Sequence, residues 1–443
     1  MSETLSKRHC IIGAGFSGIT VARKLRELGE SFDVIDANSG IGGLWHTGAY
    51  DSAHLVSSKL ETQFEDFPMP DCYPDFPGRA QMQRYLQSYA DHVGVTEYVQ
   101  LNSVVNRVRP ADDYHTSGEW LVEIEGETPR RYATVVVANG HLSGMSSPKK
   151  PAYPGRFAGE VRYATEYQNA RDLAGKRVLV VGAGNTGCDI AVDSSRIAVA
   201  TAISMRSGKH FIPKTFAGIP LSDLGGEGRL GRWFDRLALR LICWLSFGNL
   251  SRHGLPKPTH RILDRHPTIN SQLLYQIQHG RVAVRSEIKR YDDDTVEFVD
   301  GSREALDLII FAVGCNVSFP MLKYEDGLLD WEEGLPVLFL GMMAPKYRGL
   351  FFSGLGQAQA GGGPLFQGGG DVLARMLAKE ARSDVGVMNL IRGSNLGRLA
   401  NKYLDTKFVE KLDQTSHPGR VVRQSIRYAM KVLDEIGCPD AGR

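Results

Sequence analysis

The sequence predicts an α/β protein with two Rossmann-like domains, the second inserted into the first. Two segments, 7–36 and 176–206, each contain a strand, a Gly-x-Gly-x-x-Gly turn, a helix and a second strand. Two further apolar strands, within 132–140 and 306–314, each end in a small-residue turn of the kind found where a chain passes between domains. With 443 residues, the chain is long enough for two such domains.

The first unit has the context of a dinucleotide-binding site. A strand at 9–12 leads into GAGFSG and a helix, and the next strand ends in Asp36. The glycines allow close approach of a pyrophosphate, which the free amides at the start of the helix bind. An acid at Asp36 suits a ribose with free hydroxyls, as in FAD. The residues of this unit predicted to bind FAD are Gly13, Gly15, Phe16, Ser17, Gly18 and Asp36.

The second unit repeats the pattern but ends in a basic residue. GAGNTG follows a strand at 177–181, and the next strand leads into Arg206. An arginine here attracts a 2′-phosphate and favours NADPH over NADH, with Lys209 or Lys214 as further sources of charge. The alternative is that Arg206 is a solvated surface residue. The residues predicted to bind NADPH are Gly182, Gly184, Asn185, Thr186, Gly187, Arg206 and Ser207.

The positions of these strands along the sequence predict the domain boundaries. The FAD domain takes residues 1–145, the NADPH domain takes 146–324, and the chain returns to the FAD domain with 325–443 and its C-terminal helices. In that last part, a glycine-rich segment precedes a helix that we expect Asp371 to cap.

Several motifs resemble those of the flavin-containing monooxygenases. IGGLWH at 41–46 is similar to the family's flavin-contacting Gly-Gly-x-Trp segment, and 59–77 resembles the stretch that follows it. FAGEVRYATEY at 157–167 resembles the signature FxGxxxHxxxY, and FAVGC at 311–315 resembles Phe-Ala-Thr-Gly-Tyr. The central segment GNLSRHGLPKP is similar to the plant auxin-forming members.

This resemblance implies a FAD- and NADPH-dependent monooxygenase that acts through a flavin hydroperoxide. Its expected partners are dioxygen and a small-molecule substrate, oxygenated at nitrogen or sulfur. Because the cofactor performs the chemistry, the resemblance requires no catalytic triad and no metal. It also implies flavin contacts from Gly43, Leu44, Trp45 and Val105.

Two departures from the family pattern leave the reaction open. The signature histidine is Tyr163 here, although Tyr167 matches the monooxygenases rather than their Baeyer–Villiger relatives, which carry tryptophan. The asparagine that many members place beside the flavin corresponds to Val56, with His54 on the same face of an extended segment. His54, Val56 and Tyr163 are therefore the candidate catalytic positions. The alternatives are an oxidase or reductase that releases hydrogen peroxide, a Baeyer–Villiger monooxygenase, and a non-catalytic sensor.

Composition limits the partners. Lys and Arg number 52 against 50 Asp and Glu, which gives no support for nucleic-acid binding. The six cysteines form no C-x-x-C pair, which argues against a metal site or redox dithiol and fits a cytoplasmic protein. We also expect a homodimer.

The segment 229–247 has an unusual amphipathic pattern. Large apolar residues fill most of it, and arginines share one helical face: Arg229, Arg232, Arg236 and Arg240. A membrane-surface helix, a cover over the substrate channel, a dimer contact and an ordinary helix over the core all fit this pattern.

Overall fold

Two parallel sheets of five strands organise the chain. The computed structural model describes residues 7–140, 147–224, 232–356, 361–395 and 419–440. The strands of these sheets are β1 (His9–Ile12), β2 (Phe32–Ile35), β3 (Val99–Gln100), β4 (Thr134–Val137), β5 (Glu160–Tyr163), β6 (Arg177–Val181), β7 (Ala200–Ser204), β8 (Ala283–Arg285), β9 (Leu308–Phe311) and β10 (Leu350–Phe352). The helices are α1 (Phe16–Glu27), α2 (Lys59–Thr62), α3 (Arg79–His92), α4 (Tyr114–Ser117), α5 (Asn185–Ser194), α6 (Arg232–Phe247), α7 (Gln272–Gln278), α8 (Gly363–Glu380), α9 (Val387–Gly393) and α10 (Gly419–Glu435).

The strand orders confirm the predicted fold class. The first sheet is ordered β10-β4-β1-β2-β3 and the second β8-β7-β6-β9-β5, with every neighbouring pair parallel. Parallel strands covered on both faces are apolar throughout. Accordingly, every residue of β1, β4 and β9 is buried. Both units therefore have the α/β architecture that the glycine motifs indicated.

The second domain is inserted into the first. Strand β10 pairs with β4, although all strands of the second sheet lie between them in the sequence. The chain crosses between the sheets at Ser147–Pro148 and Cys315–Asn316, and these two segments pair antiparallel. The boundaries at 145 and 324 stay predictions, and residue 145 lies outside the described ranges.

Smaller antiparallel sheets flank the two large ones. The three-stranded sheets contain Val105–Pro110, Trp120–Ile124 and Arg130–Tyr132 in one case, and Ile288–Asp292, Thr295–Phe298 and Arg303–Ala305 in the other. A short hairpin of Thr215–Phe216 and Ile219–Pro220 precedes α6.

The glycines at 368–370 lie inside helix α8, so the prediction that Asp371 caps this helix is wrong. The residue before the helix is Gly362, and Asp371 lies in the helix interior, where it forms an ion pair with Arg23 of α1. Close packing explains Gly370, where a Cβ would lie 2.8 Å from the backbone carbon of Thr20. The three consecutive glycines predict a helix end, but the close contact of α8 with α1 requires a glycine at position 370.

A buried arginine of α8 forms hydrogen bonds with α10 and with the residues that follow it. Arg375 is 1% exposed, and its Nη2 donates to Asp434 of α10 at 2.7 Å. Its Nε donates to the carbonyl of Pro439 at 2.8 Å, and Nη2 also reaches the carbonyl of Cys438 at 3.2 Å. The C-terminal helix is therefore part of the first domain.

Candidate functional site

The first glycine loop packs against the residue that follows β4, the strand from which the chain continues to the second domain. Gly13 has φ of 115°, and a Cβ there would overlap the carbonyl oxygen of Ala138, the residue after β4. A Cβ at Gly18 would overlap the carbonyl oxygen of Gly13. Gly15 precedes α1 without any side-chain cap, so the first amides of the helix are free to bind an anion.

The predicted flavin segment Gly43, Leu44 and Trp45 lies directly on this loop. These residues form one turn of 3-10 helix, and a Cβ at Gly43 would lie 2.9 Å from the Cα of Gly15. The amide of Gly42 donates to the carbonyl of Ala14 at 3.0 Å. The glycine loop at 13–18 and the turn at 43–45 thus form one cradle, and a side chain at Gly43 would not fit between them.

Asp36 is held at the edge of the cradle. Its carboxylate accepts from the amide of Ala14 at 2.6 Å and from the amide and side chain of Asn38 at 2.8 and 2.9 Å. A carboxylate accepts about four hydrogen bonds, which leaves capacity for a ribose hydroxyl. Ser103 lies in the loop just before Val105, and its amide donates to the backbone carbonyl of Asp36 at 2.9 Å. The structure therefore brings Val105 to the same end of β2.

Two predicted FAD residues direct their side chains elsewhere. The ring of Phe16 packs on Phe64 and Phe366, with centroids 5.3 and 5.2 Å away, so only its backbone faces the loop. Ser17 is 8% exposed, and a Cβ at Gly354 would lie 2.5 Å from its Oγ. The returning chain therefore passes close over the start of α1.

The second glycine loop repeats the first in detail. Gly182 has φ of 107°, and a Cβ there would lie 2.5 Å from the carbonyl oxygen of Ala312, the residue after β9. A Cβ at Gly187 would overlap the carbonyl oxygen of Gly182, whereas one at Gly184 would meet nothing within 4 Å. The side chain of Asn185 accepts from the amide of Ile269 at 2.8 Å and so holds a neighbouring segment.

Positive charge collects after β7. Arg206 is exposed at this point, and Ser207 next to it is half-buried. Burial lowers the pKa of Lys209, and nearby Arg265 and Arg206 lower it further. Three cations in mutual repulsion suit a doubly charged phosphate. Lys209 therefore belongs to this cluster, as the sequence suggested for it.

Contacts between the domains lie one turn into α5. Tyr50 of the first domain donates to Asp189 at 2.7 Å, and Asn270 donates to the same carboxylate at 2.8 Å. Burial raises the pKa of Asp189. Tyr167 donates to Asp193, one turn further along, at 3.0 Å. Sequence reasoning missed Tyr50 and Asp189, because their pairing has no local signal beyond an acid that follows the glycine motif.

His54 joins the same boundary and contacts Lys214. Its Nδ1 donates to the carbonyl of Ser52 at 2.9 Å, and its Nε2 accepts from the ammonium group of Lys214. That ammonium lies 5.4 Å from the ring centre of Phe76, and burial lowers the pKa of Lys214. Lys214 is thus engaged with the first domain and not with Arg206.

The structure does not bring the third candidate catalytic position to this boundary. Tyr163 ends β5, stacks on Phe311 with ring centroids 5.9 Å apart, and has the ammonium of Lys150 5.5 Å from its ring centre. Val56, by contrast, is half-buried two residues after His54. The catalytic roles of all three stay predictions.

The segment 229–247 contains helix α6, which begins at Arg232; residues 229–231, including Arg229, lie outside the described ranges. The side chain of Arg236 forms an ion pair with Asp264. Across the residues that the structure describes, no helix combines the length and apolar character needed to cross a bilayer.

A known protein family matches most of the chain. The model of the flavin-binding monooxygenase-like family matches residues 6–379. The chain belongs to this family. It is 32% identical to mouse flavin-containing monooxygenase 5 over 345 residues, which is 72% of this chain and 63% of that protein. Human flavin-containing monooxygenase 3 is 30% identical over 363 residues, covering 77% and 68% of the two chains.

Solved structures share the fold at low identity. S-allyl-L-cysteine S-oxygenase from Allium sativum matches with a TM-score of 0.66 and 19% identity, over 98% of this chain and 89% of its own. Cyclohexanone monooxygenase with bound ε-caprolactone matches with a TM-score of 0.69 and 16% identity, over 96% and 98%. The chain spans less than two thirds of the mouse relative's length. Family membership confirms the predicted cofactors, FAD and NADPH, and both glycine cradles fit them.

Proposed function

We propose that this chain is an NADPH-dependent FAD monooxygenase, which transfers one oxygen atom of dioxygen to a nitrogen or sulfur atom of a small molecule. The observation that carries this proposal is the pair of glycine cradles joined through Tyr50 and Asp189. Bound FAD supplies the redox and dioxygen chemistry. The residues of the chain bind and orient the cofactors and exclude water.

The FAD cradle offers two kinds of contact. The free amides at the start of α1 suit the pyrophosphate, and the carboxylate of Asp36 suits the ribose. Gly43 and Trp45 belong to the turn that lies on Gly15, which supports a contact with the rest of the cofactor from the other side.

The NADPH cradle combines the amides of α5 with the cluster of Arg206, Lys209 and Arg265. A 2′-phosphate would offset the burial and the repulsion that lower the pKa of Lys209, whereas NADH has no group for this position. We expect Arg206→Ala to raise the KM for NADPH about tenfold and to leave the KM for NADH unchanged. An equal change for both nucleotides would contradict the phosphate contact.

Tyr167 supports oxygenation at nitrogen or sulfur over attack on a carbonyl. It matches the form of the signature found in the monooxygenases, and it is 2% exposed with its hydroxyl on Asp193. A second candidate function is an NADPH oxidase that releases hydrogen peroxide. The observation that favours it is Val56, an apolar residue without a hydrogen-bonding side chain between His54 and Ser58, both of which contact the second domain.

Flavin reoxidation distinguishes the two candidates. The purified protein is reduced with NADPH without oxygen, mixed with aerated buffer and followed by its absorbance spectrum. A monooxygenase gives a long-lived species that decays faster when an amine or a sulfide is added. Direct return to the oxidised spectrum with stoichiometric hydrogen peroxide would refute the monooxygenase and support the oxidase.

We also propose a cytoplasmic location and a homodimer, as the sequence suggested. All six cysteines lie within the described residues and are free thiols, which supports a reducing compartment. Light scattering of the purified protein tests the dimer, and a monomeric mass at micromolar concentration would refute it.

A further inference from the structure

A second segment of the chain packs on the loop that follows β7. A Cβ at Gly208 in this loop would lie 2.3 Å from the backbone carbon of Lys257, so the two backbones are in direct contact. Further along, the amide of Thr268 donates to the carbonyl of His210 at 3.0 Å. The segment 256–268 is therefore held against the loop at both of its ends.

Two histidines meet where the loop and the segment pack together. The rings of His210 and His260 lie edge to face, with centroids 5.0 Å apart, and the Nε2 of His210 donates to the carbonyl of His260 at 2.8 Å. His260 is half-buried, and none of the described residues forms a hydrogen bond with its ring nitrogens. Both nitrogens of the His260 ring are therefore available to a ligand.

The charges around His260 are mostly positive. Burial lowers its pKa below the ordinary value, three basic side chains lower it further, and Asp264 opposes them. Those side chains are His210, Arg265 and Lys209. The carboxylate of Asp264 is already paired with Arg236, and Lys257 and Arg261 are exposed in the same segment. A dianionic phosphate among these cations would reverse the balance and favour the protonated ring.

Lys209 connects this histidine to the NADPH cradle. Burial lowers the pKa of Lys209, and nearby Arg265 and Arg206 lower it further. Cys188, in the first turn of α5, acts on the same ammonium group in the opposite direction. The basic cluster therefore lies beside the start of the helix whose amides suit the NADPH pyrophosphate, where the adenosine half of the nucleotide is expected.

We propose that His260, in its protonated form, binds the 2′-phosphate of NADPH beside Arg206 and Lys209. This inference rests on the proposed phosphate contact of Arg206 and adds a residue that titrates near neutral pH. NADPH binding then takes up a proton, whereas NADH binding does not. Because the bound phosphate raises the pKa of the ring, part of the affinity is lost as the pH rises through that raised value. Above about pH 6, where the phosphate is a dianion, selectivity for NADPH over NADH therefore falls with rising pH.

Calorimetric titration of the flavin-loaded protein with NADP⁺ and with NAD⁺ tests the proposal, since the two nucleotides differ only in the 2′-phosphate. Titrations at pH 7 in two buffers of different ionisation enthalpy count the protons taken up. We expect uptake with NADP⁺ and none with NAD⁺, and an affinity for NADP⁺ that falls about tenfold from about pH 6.5 to about pH 8.5. His260→Gln should abolish the uptake and flatten this dependence, whereas His260→Arg should keep the high affinity throughout. His279→Gln, at an exposed position after α7, is the control and should match the wild type.

The outcomes separate the role of His260 from the phosphate site itself. Equal affinity for NADP⁺ and NAD⁺ at every pH would refute the phosphate site, and the role of His260 with it. Tighter binding of NADP⁺ without proton uptake would overturn the role of His260 and leave that of Arg206 in place. Uptake that persists in His260→Gln would also overturn it, because the proton would then go to Lys209 or His266, whose pKa values burial lowers. Flavin absorbance and an unchanged affinity for NAD⁺ establish that the variants fold.

Discussion

Two neighbouring glycines of α8 should respond to alanine in opposite directions. Gly369 has no atom within 4 Å of the position that a Cβ would take, whereas a Cβ at Gly370 would lie 2.8 Å from both the backbone carbon and the Oγ1 of Thr20. Thr20 is fully buried in α1, two residues after the last glycine of the FAD loop. The two substitutions therefore share chemistry and helix and differ in what the added methyl group meets.

The magnitudes follow from these distances. Ordinary contacts of a Cβ begin near 3.4 Å, so Gly370→Ala forces α1 and α8 apart by about 0.6 Å. A gap of this size forfeits a quarter or more of the dispersion energy of the contacts that open, and overpacking of this kind costs about 1–3 kcal/mol. Gly369→Ala lowers the entropy of the unfolded chain and stabilises the helix by about 0.5–1 kcal/mol.

Thermal unfolding, followed by the fluorescence of released flavin, measures both effects. Each kcal/mol shifts the midpoint by about 2–4 °C in a domain of this size. We expect a lower midpoint and weaker FAD retention for Gly370→Ala, and a slightly higher midpoint with unchanged retention for Gly369→Ala. Equal midpoints for the two variants would refute the argument that the approach of α1 to α8 requires a glycine.

Three further perturbations test other parts of the molecule. Arg375→Met should destabilise the chain by about 1–3 kcal/mol, because it removes a guanidinium that donates to Asp434 and to two carbonyls, and limited proteolysis should then remove α10 first; a variant that resists the protease as well as the wild type does would contradict this. Gly187→Ala should weaken both NADPH binding and the second domain, while Gly184→Ala should melt like the wild type and lose affinity only for the nucleotide; a normal Kd for Gly187→Ala argues against the steric reasoning. Hydrogen bonds from Arg177 lower the pKa of Asp307 to about 2 from 3.8, so the pair stabilises the fold above pH 3.8 and loses that contribution as the pH falls through 2; Asp307→Asn should lower the melting temperature at pH 7 and have a much smaller effect at pH 2.

The glycine loops could be predicted because their signal is local. Spacing alone places a tight turn between a strand and a helix, and the Cβ positions at Gly18 and Gly187 show that the first turn of each helix lies against its own loop. Arg206 could be found in the same way, since it directly follows a recognisable strand.

The features that the sequence did not predict depend on tertiary contacts. Three consecutive glycines before Asp371 locally indicate the end of a helix, whereas in the structure they lie inside one, and the closeness of α1 explains the glycine at position 370. Lys214 follows Arg206 by eight positions and looked like a phosphate ligand. Its actual partner, His54, lies 160 residues away in the other domain, and no periodicity reports a contact of that kind.

The close fit between each glycine loop and the residue after the last strand of its domain restricts how this chain can vary in length. Ala138 and Ala312 donate their amides to β1 and β6 at 2.9 and 2.8 Å, and their carbonyls form the floor of the two loops. Both residues also begin the stretches that lead from one domain to the other. An insertion at Ala138 or Ala312 would displace a carbonyl that packs against a glycine loop and so distort a cofactor site. An insertion at the turn around Gly301, where a Cβ meets nothing within 4 Å, would not. Linker length in this architecture is therefore set by cofactor binding as much as by the distance between the domains.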